Sequence, residues 1–219
     1  MNVRQEFQEE LNVLKSLLLN MGKRAENALR ESIKALQEQD VDLALKIIDE
    51  DYKINRLDDE INEKAIWLIA KQQPVATDLR RIIASIKIAT DLERVGDQAV
   101  NIAKSTIRIG KEALFKPLKD IPAMADRVLQ MHVGVLEAFD KEDYNLAKEV
   151  AEMDNEVDEM YGKLVNELLS NIPKSPELTA QITQLAFVCR YLERSADHTT
   201  NISESVIFTV KGKNYDLNR

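Results

Sequence analysis

The chain has 219 residues, a single cysteine (Cys189), and 30 Lys and Arg against 38 Asp and Glu, for a net charge of −8. That balance argues against a nucleic-acid-binding face, which must offer cations to phosphates, and against direct capture of an anion or an anionic membrane unless a bound metal reverses the local sign. A lone cysteine excludes an intrachain disulfide and fits a reducing compartment, and with no apolar leader and no apolar run long enough to span a bilayer the expectation is a soluble, cytoplasmic protein.

The elements read as helices from the first residues onward. Phe7, Leu11, Leu14, Leu18, Met21, Ala25 and Ala28 alternate by four and three, which keeps one face of a long helix apolar. A second stripe runs Leu43, Ile47, Ile54, Leu57, Ile61, Leu68. After Pro74, Thr77 is placed to cap a third helix with Asp78 in its first turn, and Gly110 with Lys111 suits its end. The pattern restarts near residues 123, 143 and 177. Every proline (Pro74, Pro117, Pro122, Pro173, Pro176) falls at one of these boundaries, and no segment alternates with period two. The expected fold is all-α, with six helices.

The six divide as three plus three. DLERVGDQAVNIA at 91–103 returns as YLERSADHTTNIS at 191–203, with Leu, Glu, Arg, Asp, Asn and Ile in the same order, displaced by 100 positions. LALKIIDEDYKINRL is likewise echoed by LAKEVAEMDNEVDEM. This predicts two tandem three-helix bundles related by internal duplication, residues 1–112 and 116–212, joined through the Pro- and Lys-bearing stretch GKEALFKPLKDIPA.

On the third helix the inward stripe is Ile82, Ile86, Ala89, Glu93, Gly96, Val100, Ala103, Ile107; on the sixth it is Ile182, Ala186, Cys189, Glu193, Ala196, Thr200, Ser203, Ile207. In each stripe only the glutamate is charged, and Asp97 or Asp197 lies one turn further along the same side. A carboxylate held against a core must be paired, protonated or bound to a metal. An antiparallel turn near residue 73 brings Asp51 and Asn55 level with Glu93 and Asp97. A turn near 174 does the same for Asp154 and Asp158 with Glu193 and Asp197. Each repeat thus offers oxygen donors from two helices, the ligand type hard divalent or trivalent cations take. The alternative is that the acids are solvated, ion-paired to Arg94 and Arg194, and repeated only because the packing unit was duplicated.

Other sites are not supported. Neither His132 nor His198 has a Glu three residues before it, as a ferritin-like di-iron centre requires. DEDYKINRLDDE lacks the glycine of a calcium loop, and no Gly-rich phosphate cradle or Ser/His/Asp set occurs. His198, beside Asp197, is a conceivable phospho-acceptor, although the first repeat has Gln98 there. Cys189 reads as a core thiol, Trp67 as core or interface packing, and Thr199 and Thr200 as helix-packing residues.

The doubled LER-small-small-D-x-x-x-N-I signature, in DLRRIIASIKIATDLERVGDQAVNIA and AFVCRYLERSADHTTNISE, and the opening FQEELNVLKSLLLNMGKRAENAL resemble the phosphate-specific transport system accessory proteins, the PhoU family, over essentially the whole chain. The resemblance implies a cytoplasmic, usually dimeric negative regulator of phosphate uptake. Such a protein links a phosphate ABC transporter ATPase to a membrane sensor histidine kinase and reaches the membrane only through them. It also implies metal clusters, iron or zinc among them, on Glu93 with Asp97 and Glu193 with Asp197, with helix-two and helix-five partners Asp51, Asn55, Asp154 and Asp158. Asn55 departs from the acidic pattern, so the second repeat is expected to hold a cation better. The other readings kept open are a metal-binding scaffold or buffer, and a metal-dependent enzyme of unknown reaction.

Overall fold

A computed structural model describes residues 3–115, 118–174, 176–213 and 215–217. Among them are eight α-helices and no strand: α1 Val3–Glu38, α2 Val41–Glu50, α3 Tyr52–Gln72, α4 Ala76–Ile109, α5 Asp120–Lys141, α6 Tyr144–Glu152, α7 Asp154–Ser170 and α8 Thr179–Lys211. Two short 3₁₀ turns, Ile172–Lys174 and Pro176–Leu178, lead into α8. The junction proline Pro117 lies outside the described residues.

The apolar stripes fall on the packed faces. Leu14, Leu18, Met21, Ala25 and Leu29 of α1, Ile61 and Leu68 of α3, and Ile82, Ile88, Ala89 and Leu92 of α4 are fully or almost fully buried. The same holds for Ile182, Leu185, Val188, Cys189 and Leu192 of α8. One continuous apolar core runs through both repeats. At its centre α4 and α8, the two signature helices, pack along each other, and α1 reaches across to α5. Gly22 permits that crossing. A Cβ there would lie 2.5 Å from a Leu136 methyl. Beside it, buried His132 donates its Nε2 hydrogen to the Gly22 carbonyl at 2.9 Å.

The duplication extends to the turns. Gln39 and Glu142 both take left-handed backbone, at φ 51°. An aspartate N-cap follows each. Asp40 accepts from the Leu43 N–H at 2.9 Å, and Asp143 from those of Asn145 and Leu146 at 2.9 and 3.1 Å. These caps satisfy amides that have no partner within the first turn. The third helix starts differently from the expectation. Val75, not Thr77, holds the cap position of α4, without a side-chain bond, and the Thr77 hydroxyl instead accepts from Arg80 at 3.0 Å. Gly110 does end α4, at φ 66°.

The second helix of each repeat, expected to be continuous, is broken once: α2 gives way to α3 at Asp51, and α6 to α7 at Met153. Both residues keep right-handed helical angles, so these are kinks rather than loops. The Ile54 N–H bonds the Asp51 carbonyl at 2.9 Å, and the Glu156 N–H bonds the Met153 carbonyl at 3.1 Å. Tightening to i→i+3 bonds turns the helix locally. It sets Asp51 and Asp154, at the start of the second segments, against the signature helices.

Candidate functional site

In the first repeat, Glu93 on α4 lies within electrostatic reach of Asp97 on the same helix and of Asp58 and Asp51 across from it. Burial pushes Asp51 up from the ordinary carboxylate range, against the Asn55 amide bonded to its Oδ2 at 3.2 Å, and the Asp97 charge adds to the rise. Burial raises Glu93 too, with the negative charges of Asp97, Asp58 and Asp51 adding to it. Arg94 offsets part of this from outside, 3.4 Å from Glu93 and 2.9 Å from Asp97.

Asp58 was not singled out from the sequence. Its position two turns after Asp51, on the same helix face, was the available signal. It brings the first repeat's carboxylates to the same number as the second's, so the neutral Asn55 does not leave that cluster short of charge.

In the second repeat, Asp154, Asp158, Glu193 and Asp197 meet between α7 and α8. Asp154 is pushed up to about 7, by burial first and then by the charges of Asp158, Asp197 and Glu193. Burial and neighbouring acids also raise Glu193 and Asp197. Here the largest countercharge is Arg190, bonded to Glu193 one turn before the position Arg94 occupies in the first repeat, with Arg194 adding to it. A cleft of about 180 Å³ opens over Asp154, Asp158 and Asp197, with Lys148 at its rim.

Asn55 and Asp158 are the exposed members of the two acidic clusters. Gly96 makes the close approach possible. A Cβ added there would sit 3.0 Å from Ile54 Cδ1 and 3.6 Å from Asp51 Oδ1. Gly96→Val should lower stability by about 1–3 kcal/mol, whereas Gly96→Ala, which copies Ala196, should cost little; urea midpoints of the two variants check this.

The donor chemistry fits a hard cation. Asp58 Oδ1, Asp154 Oδ1 and Glu193 Oε2 are buried oxygens without a hydrogen-bond partner. An anionic oxygen in that position is costly unless protonated or ligated. No three Asp, Glu, His or Cys side chains among the described residues are drawn together as an ion cage. Enclosing an ion would take side-chain rotation within the clefts.

The other residues weighed from the sequence are placed as follows. His198 Nδ1 lies 3.0 Å from Asp91 Oδ1, and Asn201 bonds the same oxygen at 3.2 Å. This polar contact ties α8 of one repeat to α4 of the other. Cys189, Thr199 and Thr200 are buried, as expected of packing residues. Trp67 is not core: it is 44% exposed, with Lys71 Nζ 4.4 Å from its ring centre.

The PhoU domain model matches this chain twice, over residues 18–106 and 121–206, once in each repeat. The chain belongs to the PhoU family. It is 43% identical to the phosphate-specific transport system accessory protein PhoU homolog of Clostridium acetobutylicum, over 97% of each chain. With the Rhizobium meliloti homolog the identity is 37%, over 94% of this chain and 87% of that one. The crystal structure of the phosphate transport system regulatory protein PhoU from Streptococcus pneumoniae superposes with a TM-score of 0.90 at 28% identity, covering 96% of this chain and 99% of that one. PhoU from Pseudomonas aeruginosa gives 0.89 at 33% identity, covering 94% of this chain and 100% of that one. These PhoU structures share the all-helical architecture, and the two matched segments are the two repeats.

Proposed function

We propose that this protein is a cytoplasmic negative regulator of phosphate uptake and of the phosphate-starvation response. It acts by contact, as an adaptor between a phosphate ABC transporter ATPase and a sensor histidine kinase, and without catalytic turnover. The observation that carries this reading is the near-full-length similarity, at up to 43% identity, to proteins named as accessory to phosphate-specific transport. Three features of the chain support it. The net charge is −8, without the basic excess that a DNA-binding face draws on. No helix among the described residues is long and apolar enough to cross a membrane, so a membrane role runs through partners. The long helices expose mixed-charge faces, such as KEDYNLAKEVAEMDNEVDEM, suited to a polar and readily reversed interface. A homodimer is the assembly proposed from the family resemblance.

The acidic clefts are proposed as cation sites that tune this interface, iron or zinc being the first candidates from the resemblance. Asp51, Asp58, Glu93 and Asp97, and Asp154, Asp158, Glu193 and Asp197, would hold the ions, with Asn55 as a neutral oxygen donor. A bound cation cancels local negative charge and ties two helices together.

Deleting the gene should switch on phosphate-scavenging genes in phosphate-rich medium, and restoring the protein should silence them. Normal repression in the deletion strain defeats the adaptor reading. So does failure of the purified protein to capture either the transporter ATPase or the kinase's cytoplasmic region. Turnover of a substrate, abolished by substituting Glu93, Asp97, Glu193 and Asp197 together, replaces it with the enzyme reading.

A further inference from the structure

The two repeats use one junction differently. Gln181, near the start of α8, and Gln39, just after α1, grip the non-helical chain that leaves α4. Gln181 Nε2 donates to the Ala113 carbonyl at 3.2 Å, and its Oε1 accepts from the Phe115 N–H at 2.9 Å. Gln39 Nε2 donates to the carbonyls of Gly110 and Glu112 at 2.9 and 2.7 Å. Leu114 and Phe115 pack against the main core. A peptide segment is thus held by its backbone, with two apolar side chains as anchors.

The related positions are Arg81, displaced from Gln181 by 100 residues, and Glu142, which shares the left-handed backbone of Gln39 and likewise precedes an aspartate cap. These two hold each other: Arg81 Nε and Nη2 donate to the Glu142 carboxylate at 2.8 and 3.0 Å. The chain leaving α8 takes another course. Gly212 turns beside the Arg80 guanidinium, and Leu217 joins the cluster of Ala138, Ala147, Val206 and Ile207. Beside the Arg81–Glu142 pair a pocket of about 190 Å³ opens where the two repeats meet. Leu11, Leu14, Phe139 and Val206 form its apolar wall, and exposed Asn12 stands at its rim.

We propose that this pocket binds an extended peptide segment of a partner protein, as its counterpart holds residues 111–115: an apolar side chain enters between Leu11, Leu14, Phe139 and Val206, and the backbone is held by Arg81 and Glu142. The hydrogen-bonding groups match. One glutamine amide offers a donor and an acceptor, which Gln181 directs at a carbonyl and an N–H two residues apart. Arg81 and Glu142 together offer the same pair, as a guanidinium donor and a carboxylate acceptor. Their ion pair is partly solvated and contributes little by itself, so a peptide that takes over one of its bonds displaces little. A main-chain grip with a pocket for a side chain is a general mode of peptide recognition. Since α1 and α4 of one repeat and α5 and α8 of the other line the pocket, an occupant would clamp the repeats together. The pocket rests on its own geometry; only the partner's place in phosphate signalling rests on the proposed adaptor function.

The test uses the whole chain with isotope-labelled leucine and valine methyls, read by NMR. The probe is the acetylated and amidated pentapeptide of residues 111–115, Lys-Glu-Ala-Leu-Phe. It should shift the methyl signals of Leu11, Leu14 and Val206 and leave Val100 unmoved, with a Kd on the order of 1 mM, as roughly a dozen contacting atoms allow. Asn12→Trp, which plugs the rim, should abolish the shifts, and Val13→Trp, at the neighbouring exposed position, should not. Arg81→Ala with Glu142→Gly, which suits the left-handed turn, should weaken binding about tenfold. Arg81→Gln with Glu142→Gly, which copies the gripping amide, should restore it. Melting temperatures check that each variant is folded, and Gln8→Trp plugs the same rim should Asn12→Trp unfold the chain. The peptide site is overturned if wild type shows no shifts or if the shifts survive a plugged rim. Equal shifts from acetyl-leucinamide also overturn it, since the pocket would then take any small apolar solute. The deletion strain is read separately. Normal repression there with peptide binding intact removes the adaptor reading and leaves the pocket, whereas lost repression without peptide binding removes the pocket alone.

Discussion

Replacing Asp154 by asparagine should stabilise the metal-free protein, and by about 2–3 kcal/mol more at pH 8 than at pH 5. The sign follows from the environment of the side chain. Burial and the charges of Asp158, Asp197 and Glu193 lift its carboxyl from 3.8 to about 7 in the folded state. A raised folded-state pKa means that the native protein holds a proton the unfolded chain releases. The contribution of Asp154 is therefore fully favourable below about 4 and is lost as pH rises through about 7. Asparagine has the same shape and no charge to desolvate. Buried His132 works the other way. Burial lowers its pKa below 6.5, so it costs stability as pH falls below that value. Comparing wild type and variant at each pH cancels the histidine. Denaturant unfolding at pH 5, 6, 7 and 8 reads the effect, and a pH-independent difference between the two proteins would defeat it.

A divalent or trivalent cation should recover what the crowded carboxylates cost. At a free concentration of one hundred times its dissociation constant, an ion that binds only the native state adds about 2.7 kcal/mol per site. For a domain of this size, that corresponds to a rise in melting temperature of roughly 5–10 °C. The gain should be large at pH 7.5 and small at pH 5, where protons occupy the raised carboxyls and compete with the metal. Glu193→Gln with Asp197→Asn should remove the second repeat's share. Asp58→Asn should weaken the first repeat's share, although nothing in a D/E-x-x-x-D pattern points to that residue. Calorimetric titration with manganese, zinc and ferrous iron checks this. A melting temperature that does not respond to metal, or a response that survives all three substitutions, would show that the acids are structural only.

Much of the molecule was legible in the residue order because its strongest signals are local. A 3.6-residue apolar period reports which side of a helix is buried whatever it is buried against, so the stripes of α1, α4 and α8 could be read directly. Glu93 and Glu193 stood out for the same reason, as single charges on otherwise apolar stripes. Level pairing across a tight antiparallel turn depends only on counting residues from that turn, which placed Asp51 and Asp154 opposite them. The doubled signature, and the family it resembles, carried the duplication.

What the tertiary structure decided concerns contacts between elements far apart in the chain, or balances too fine for periodicity. The kinks at Asp51 and Met153 leave the helical angles almost intact, so no proline or glycine announces them. Asp58 comes within electrostatic reach of Glu93 because α3 packs along α4. Trp67 is exposed because the stripe of α3 passes through Leu57, Ile61, Ala65 and Leu68 and leaves it outside. That α4 and α8 form the central seam, joined by Asp91, His198 and Asn201, follows from how two amphipathic bundles bury their remaining apolar faces against each other. The residue order by itself thus determined the helices, the repeat and the acidic pairs, because each is set by neighbours within a few turns. Which carboxylates crowd together was decided only when distant helices packed.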